Sequence, residues 1–166
     1  GIYTYELYAF YGVEKIIRIG SAGGMHPDLD LGDVVVAQGA CTDSNYAAQY
    51  RLPGTFAPIA DFGMLSAAVE NAKKQGCKFM VGNVVSSDVF YGADPTASEK
   101  WLSMGVLCAE MECAALYMNA AYLKKKALGL LTISDLIGDA ERAMTAEERQ
   151  TKFRDMMAIA LETAIA

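Results

Sequence analysis

Residues 108–117, CAEMECAALY, carry a short apolar strand into a helix and put two carboxylates at the joint. Upstream, Val106, Leu107 and Cys108 read as the end of a buried strand. Downstream, Ala114, Ala115, Leu116, Tyr117 and residues 120–123 give a helix its apolar face. An ionised carboxylate buried without partners costs several kcal/mol, so Glu110 and Glu112 need cations, backbone donors or a polar ligand. Two readings stand: the acids cap the helix and favour its dipole, or they hold something in a site.

The flanking chain repeats the passage from strand to polar tip. Residues 2–11, IYTYELYAFY, read as a helix stopped by Gly12, and 15–19 as a short strand entering a glycine-rich turn, Gly20-Ser21-Ala22-Gly23-Gly24. Such a turn lets backbone N–H groups approach an anion, with Arg18 and the Ser21 hydroxyl beside it. The glycine spacing matches neither the dinucleotide nor the nucleoside triphosphate fingerprint, and a plain tight turn is the competing reading.

Residues 34–38 form a continuous apolar strand, 41–58 a polar loop of the kind that covers a site, and 61–75 a helix ended by Gly76. Residues 79–85 are another strand. The stretch 86–92 follows, in which Phe90 and Tyr91 either wall a flat ligand or anchor the loop. A short helix over 96–104 carries the sole tryptophan, Trp101, and 127–134 is an apolar strand ending in Ser134-Asp135. An acid at such a tip lies where open α/β sheets bind ligands, although an ordinary turn Asp looks the same. Residues 136–144 read as a loop. Thr145 and Glu148 form a capping box that starts a last helix, with Arg149 in its first turns and Phe153, Met157, Ala160, Leu161 and Ala164 on its buried face.

Strands alternating with helices predict an α/β sheet with helices packed on it. The 166 residues, 53% hydrophobic and 20% charged, suit one core-rich domain, 1–166. A net charge of −6 argues against a nucleic-acid surface, and the one basic run, 124–126, suits a helix C-terminus. The longest apolar runs are too short for a membrane span, and no signal peptide is evident. Cysteines 41, 77, 108 and 113 form no C-x-x-C pair and His26 is the only histidine, so no metal site is expected and reduced thiols in a cytoplasmic protein fit best.

Taken together, the motifs resemble the hexameric bacterial-type purine nucleoside phosphorylases of the nucleoside phosphorylase and nucleosidase superfamily. IYTYEL fits the close of the superfamily signature, IIRIGSAGG its phosphate strand and SSDVFYG its base wall. AEMECAALY resembles its ribose motif, TISD its catalytic acid and TAEERQTKF its catalytic-arginine helix. The signature's glycine-rich opening would precede residue 1. The resemblance therefore implies the C-terminal two-thirds of such an enzyme, without the N-terminal third and its first phosphate loop. The abrupt start inside an apolar helix leads to the same expectation.

The fold implied is a three-layer α/β one, a mixed central sheet with helices around it. The activity implied is reversible phosphorolysis of purine (deoxy)ribonucleosides to free base and (deoxy)ribose 1-phosphate. By position, Arg18 and Ser21 would hold phosphate, and Glu112, Met111 and Glu110 the ribose. Phe90 and Tyr91 would pack on the purine, with Ala22, Gly23, Ala109 and Ser134 lining it. Asp135 would protonate N7, assisted by Arg149. No cofactor is implied beyond inorganic phosphate as co-substrate. The partners implied are nucleoside, phosphate and further copies of the chain in a trimer of dimers, with no nucleic acid or membrane. A methylthioadenosine or adenosylhomocysteine nucleosidase, a uridine phosphorylase and a catalytically incomplete fragment are the alternatives. Arg18 beside the glycines opposes the first, and the lack of Gln and Arg in 86–95 opposes the second.

Overall fold

The long apolar runs become strands because both of their faces are covered. The computed structural model describes residues 1–151 and 153–165, for residue 140 without its side chain. The elements are α1 (Ile2–Phe10), β1 (Lys15–Gly24), β2 (Val34–Thr42), a 3-10 turn (Tyr46–Tyr50), α2 (Phe62–Gln75), β3 (Phe79–Ser86), α3 (Ala97–Ser103), β4 (Cys108–Glu110), α4 (Cys113–Tyr122), β5 (Lys126–Leu136), β6 (Asp139–Ala143), α5 (Ala146–Thr151) and α6 (Arg154–Ala164). They form a mixed sheet with helices around it. Helix α4 packs on β2, β3 and β5, with α1 against it, while α2 and α6 pack together and onto β1, β2 and β5. Val34, Val35, Val36 and Ala37 of β2 and Leu128, Leu130, Leu131 and Ile133 of β5 are consequently buried.

The strand order β1-β4-β3-β2-β5-β6 has an additional pairing of β1 with β5. Five strands therefore close on themselves, and β6 extends from β5. Strand β1 runs parallel to β5 from Lys15↔Lys126 to Gly24↔Leu136, with a register shift at Ala22/Gly23. It also meets β4 antiparallel at Gly23↔Ala109 and Gly24↔Cys108. Gly23 is thus paired on both sides, with Ala109 and with Asp135.

Four expectations are corrected. Residues 20–24 are not a turn but the second half of β1. The glycines serve close packing: a Cβ on Gly20 would collide with the Arg18 guanidinium, and one on Gly23 would press on Ile137 and Asp135. Residues 136–144 are not a loop, because β5 continues to Leu136 and returns through Gly138, at φ +94°, into β6. The helix expected from Thr145 is two helices, α5 and α6, with Phe153 at the N-cap of α6, and Lys152 lies outside the described residues.

The buried face of α6 is Met156, Ile159, Ala160 and Thr163, whereas Met157, Leu161 and Ala164 are outside it. Both stripes have helical spacing, and packing against α2 selects one. The capping box and the helix-ending Gly76 did form as read. Asp61 accepts from the Met64 N–H at 2.9 Å, and Gly76 closes α2 in the left-handed region. Thr145 and Glu148 exchange their two bonds at 2.9 and 3.2 Å.

Candidate active site

Closure of the sheet decides where the functional side chains meet. Strands β1 and β5 run together, whereas β2, parallel to β3, is antiparallel to β5, so polar tips at strand ends would lie apart in a flat sheet. Pairing of Gly23 with both Ala109 and Asp135 draws the tips of β1, β4 and β5 into one place. A cleft of about 1260 Å³ opens there. Arg18, Ser21, Ala22, Gly23, Phe90 and Tyr91 line it, as do Ala109, Glu110, Met111, Glu112, Ser134, Asp135 and Arg149. Every site residue picked from the sequence therefore reaches the same cavity. A smaller depression of about 470 Å³ lies elsewhere, between Asp33, Lys78, Arg154 and Asp155, and Lys78 pairs there with Asp33 at 2.6 Å.

The two acids of the opening motif separate into two jobs. The Glu110 side chain is 1% exposed and accepts from the N–H groups of Glu112 and Cys113, both at 2.9 Å, which satisfies orphan donors at the start of α4. Ser86 also donates to Glu110 in a short bond, and the Ala114 N–H donates to Ser86 at 2.9 Å. Glu112, with its side chain 53% exposed, makes no such cap and meets the Arg18 guanidinium in a short ion pair.

Arg18 Nε lies 3.7 Å from Glu110, and among the described residues its buried Nη1 has no hydrogen-bond partner. A buried guanidinium N–H left unpaired is costly. Two carboxylates balance the charge of Arg18, whose guanidinium packs against the Gly20 backbone while the side chain, 20% exposed, lines the cleft. Beneath this cluster, burial, and after it the charge of Glu110, push the thiols of Cys108 and Cys113 well above the ordinary range.

On the opposite wall, the Ser134 hydroxyl donates to Asp135 at 2.7 Å, and Arg149 Nη2 lies 3.9 Å from the same Asp135 oxygen. Arg149 is itself held by Nε donating to the Met144 carbonyl at 3.2 Å. The Gly23 backbone lies where a side chain would displace Asp135. Phe90 and Tyr91 stack edge to face, ring centroids 4.9 Å apart, and are 75% and 90% exposed. On this chain they form an open wall. At the outer rim, Lys100 and then Thr96 hold the Asp94 carboxyl well below its usual range.

Sequence reading missed Asp43, Trp101 and the β5–β6 hairpin, which also line the cleft. Trp101 was legible only as a lone aromatic, and the hairpin was hidden because residues 136–144 show no apolar alternation. Among the described residues no group of His, Cys, Asp and Glu is placed to hold a metal ion.

Comparison with known proteins agrees in one direction. The family model described as the phosphorylase superfamily matches residues 2–166. A DeoD-type purine nucleoside phosphorylase of Shewanella denitrificans is 46% identical over 164 residues, covering 99% of this chain and 69% of that protein. The proteins of the same name from Chromobacterium violaceum and Streptococcus pyogenes are each 47% identical, over 99% of this chain and 69% and 70% of theirs.

Proposed function

Because the chain belongs to the phosphorylase superfamily, we propose that it is a purine nucleoside phosphorylase, a pentosyltransferase that exchanges the purine of a (deoxy)ribonucleoside for inorganic phosphate. The observation that carries this reading is Arg18. Its side chain, 20% exposed, lines the cleft beside Ser21, together with a half-exposed carboxylate and the Ser134–Asp135–Arg149 set. An anion, a sugar diol and a leaving base would each find complementary groups there.

Arg18 and Ser21 hold phosphate. Glu112, beside Met111, accepts from the paired ribose hydroxyls, and Glu110 keeps the strand-to-helix joint in shape. Phe90 and Tyr91 face the purine, lined by Ala22, Gly23 and Ala109. A phosphate oxygen bonds to C1′ as the C1′–N9 bond breaks, and that electron pair moves into the purine. Asp135, oriented by Ser134, delivers its proton to N7, and Arg149 stabilises the carboxylate left behind. Inorganic phosphate is the co-substrate and no cofactor takes part.

Residues 1–166 act as one domain in this reading, supported by the buried cluster that runs, among the described residues, from Tyr8 to Ala160. The protein works as a homo-oligomer, a trimer of dimers. The exposed apolar side chains Ile2, Tyr3, Phe10 and Tyr11 of α1 and its end are surface that a further copy would cover. We place it in the cytoplasm; no helix among the described residues is long and apolar enough to cross a membrane.

The test is cleavage of inosine, adenosine, uridine and methylthioadenosine with and without inorganic phosphate. Phosphate-dependent cleavage of the purine nucleosides is expected. An Arg18→Ala variant should raise the KM for phosphate by at least about tenfold, the loss of one charge-assisted contact. Cleavage that proceeds equally without phosphate would mean a nucleosidase, and preference for uridine would mean a uridine phosphorylase.

A further inference from the structure

Asp43 is the last side chain that fixes the aromatic wall, and nothing in the phosphorylase reading above gives it a role. It follows directly after β2, whose final residue, Thr42, is the parallel partner of Ser86, the final residue of β3. Asp43 and Ser87 therefore leave the sheet side by side. Asp43 Oδ2 accepts from the Ser87 hydroxyl at 2.7 Å and Oδ1 from the Asp88 N–H at 3.0 Å. The Ser87 oxygen in turn accepts from the Val89 N–H at 3.2 Å. Thr42 and β4 complete the anchorage: the Thr42 hydroxyl donates to the Ser86 carbonyl at 2.6 Å, and the Ser87 N–H donates to the Glu110 carbonyl at 2.9 Å.

Past Val89 the fixing stops. Among the described residues Phe90, Tyr91 and Gly92 make no hydrogen bond, and the aromatic contact of the two rings is with each other, edge to face. Both residues are largely exposed, so packing restrains them little. Their position is inherited from the bonds at 87–89, and two of those bonds end on one carboxylate. Charge-assisted bonds of this kind are roughly twice as strong as neutral ones. Asp43 also lines the cleft, with both carboxylate oxygens already engaged by the loop.

We propose that Asp43 is a positioning residue for nucleoside binding, setting the Phe90–Tyr91 wall against the base by clamping Ser87 and Asp88. This rests on the purine nucleoside reading of the cleft. The clamp acts on the base end of the substrate alone, since Arg18, Ser21 and Glu112 are held by other elements. Its loss is expected to appear in nucleoside affinity and not in phosphate affinity or turnover.

The experiment compares the unaltered protein with Asp43→Ala and Asp43→Asn. Amide hydrogen exchange reads the loop without any ligand. In Asp43→Ala, exchange at Asp88 and Val89 should accelerate at least about tenfold while the β2 and β3 amides keep their protection, as expected for local release rather than unfolding. Steady-state kinetics with inosine should show KM up by about tenfold, with kcat and the phosphate KM within about twofold. Asn keeps an oxygen for the Asp88 N–H and offers an N–H to Ser87, so Asp43→Asn should restore most of both readouts. Unchanged exchange at Asp88, or a loss spread equally over inosine, phosphate and kcat, would overturn the positioning role. Failure of the phosphorylase reading would show separately, as no phosphate-dependent cleavage of purine nucleosides by the unaltered protein.

Discussion

Asp135 shows how little a single residue type says until its neighbours are known. An acid at the tip of an apolar strand is equally a turn former, yet here it accepts from Ser134 and lies 3.9 Å from Arg149 on the cleft wall. If it gives a proton to N7, a substrate that does not need that proton should not miss it. Asp135→Asn is expected to lower inosine phosphorolysis by about 100-fold or more, in the range of a general acid's contribution. Cleavage of a nucleoside already alkylated and positively charged at N7 should fall far less. Equal losses on both substrates, measured side by side, would remove Asp135 from the acid role. Glu110 makes the converse point. Its capping reading was legible in the sequence because a strand-to-helix joint leaves N–H groups that need acceptors, and those are the groups it binds.

At the scale of elements, α4 is the brace of the sheet. Tyr117 donates its hydroxyl to the Ala37 carbonyl of β2 and accepts from the Gly129 N–H of β5, locking the helix across the pair of strands that carry the core. Burial drives the hydroxyl's pKa far up, so it stays a neutral donor throughout the useful pH range. Tyr117→Phe keeps the ring but strands two buried backbone groups, and should cost roughly 2–3 kcal/mol, read as a lower urea midpoint at unchanged m-value. A loss of stability under about 0.5 kcal/mol would mean those groups find other partners. Asn119 ties the same helix outward: its Oδ1 accepts from Tyr46 and Tyr50, and its Nδ2 donates to Gly1 and Thr4. Helical period and caps predicted α4. Its polar cross-links join residues up to 118 positions apart and have no local signature.

For the whole molecule, closure of the sheet puts Cys108 and Cys113 at its centre, while Cys41 and Cys77 are half-buried. Thiolate is the reactive form, and burial raises the pKa of Cys108 and Cys113, so less thiolate forms at pH 8 and reagent cannot reach it. Alkylation at pH 8 should modify Cys41 from the native state, with Cys108 and Cys113 reacting only at the rate of global unfolding. Mass mapping of the labelled peptides checks this. Early labelling of Cys113 would mean that α4 and β5 separate without the rest of the fold.

The sequence by itself determined the identities of most elements, their caps and the chemical cast of the cleft, because apolar period, capping boxes and terminal glycines act over a few residues. It did not decide what the GSAGG stretch was for. A turn and a strand squeezed between two neighbours both need glycine, and only the pairing of Gly23 with Ala109 and Asp135 separates them. Tertiary structure also chose the face of α6, the contact of Arg18 with Glu112 and the clamp of Asp43 on Ser87. Each of these depends on strands distant in sequence coming together, and local composition carries no record of that.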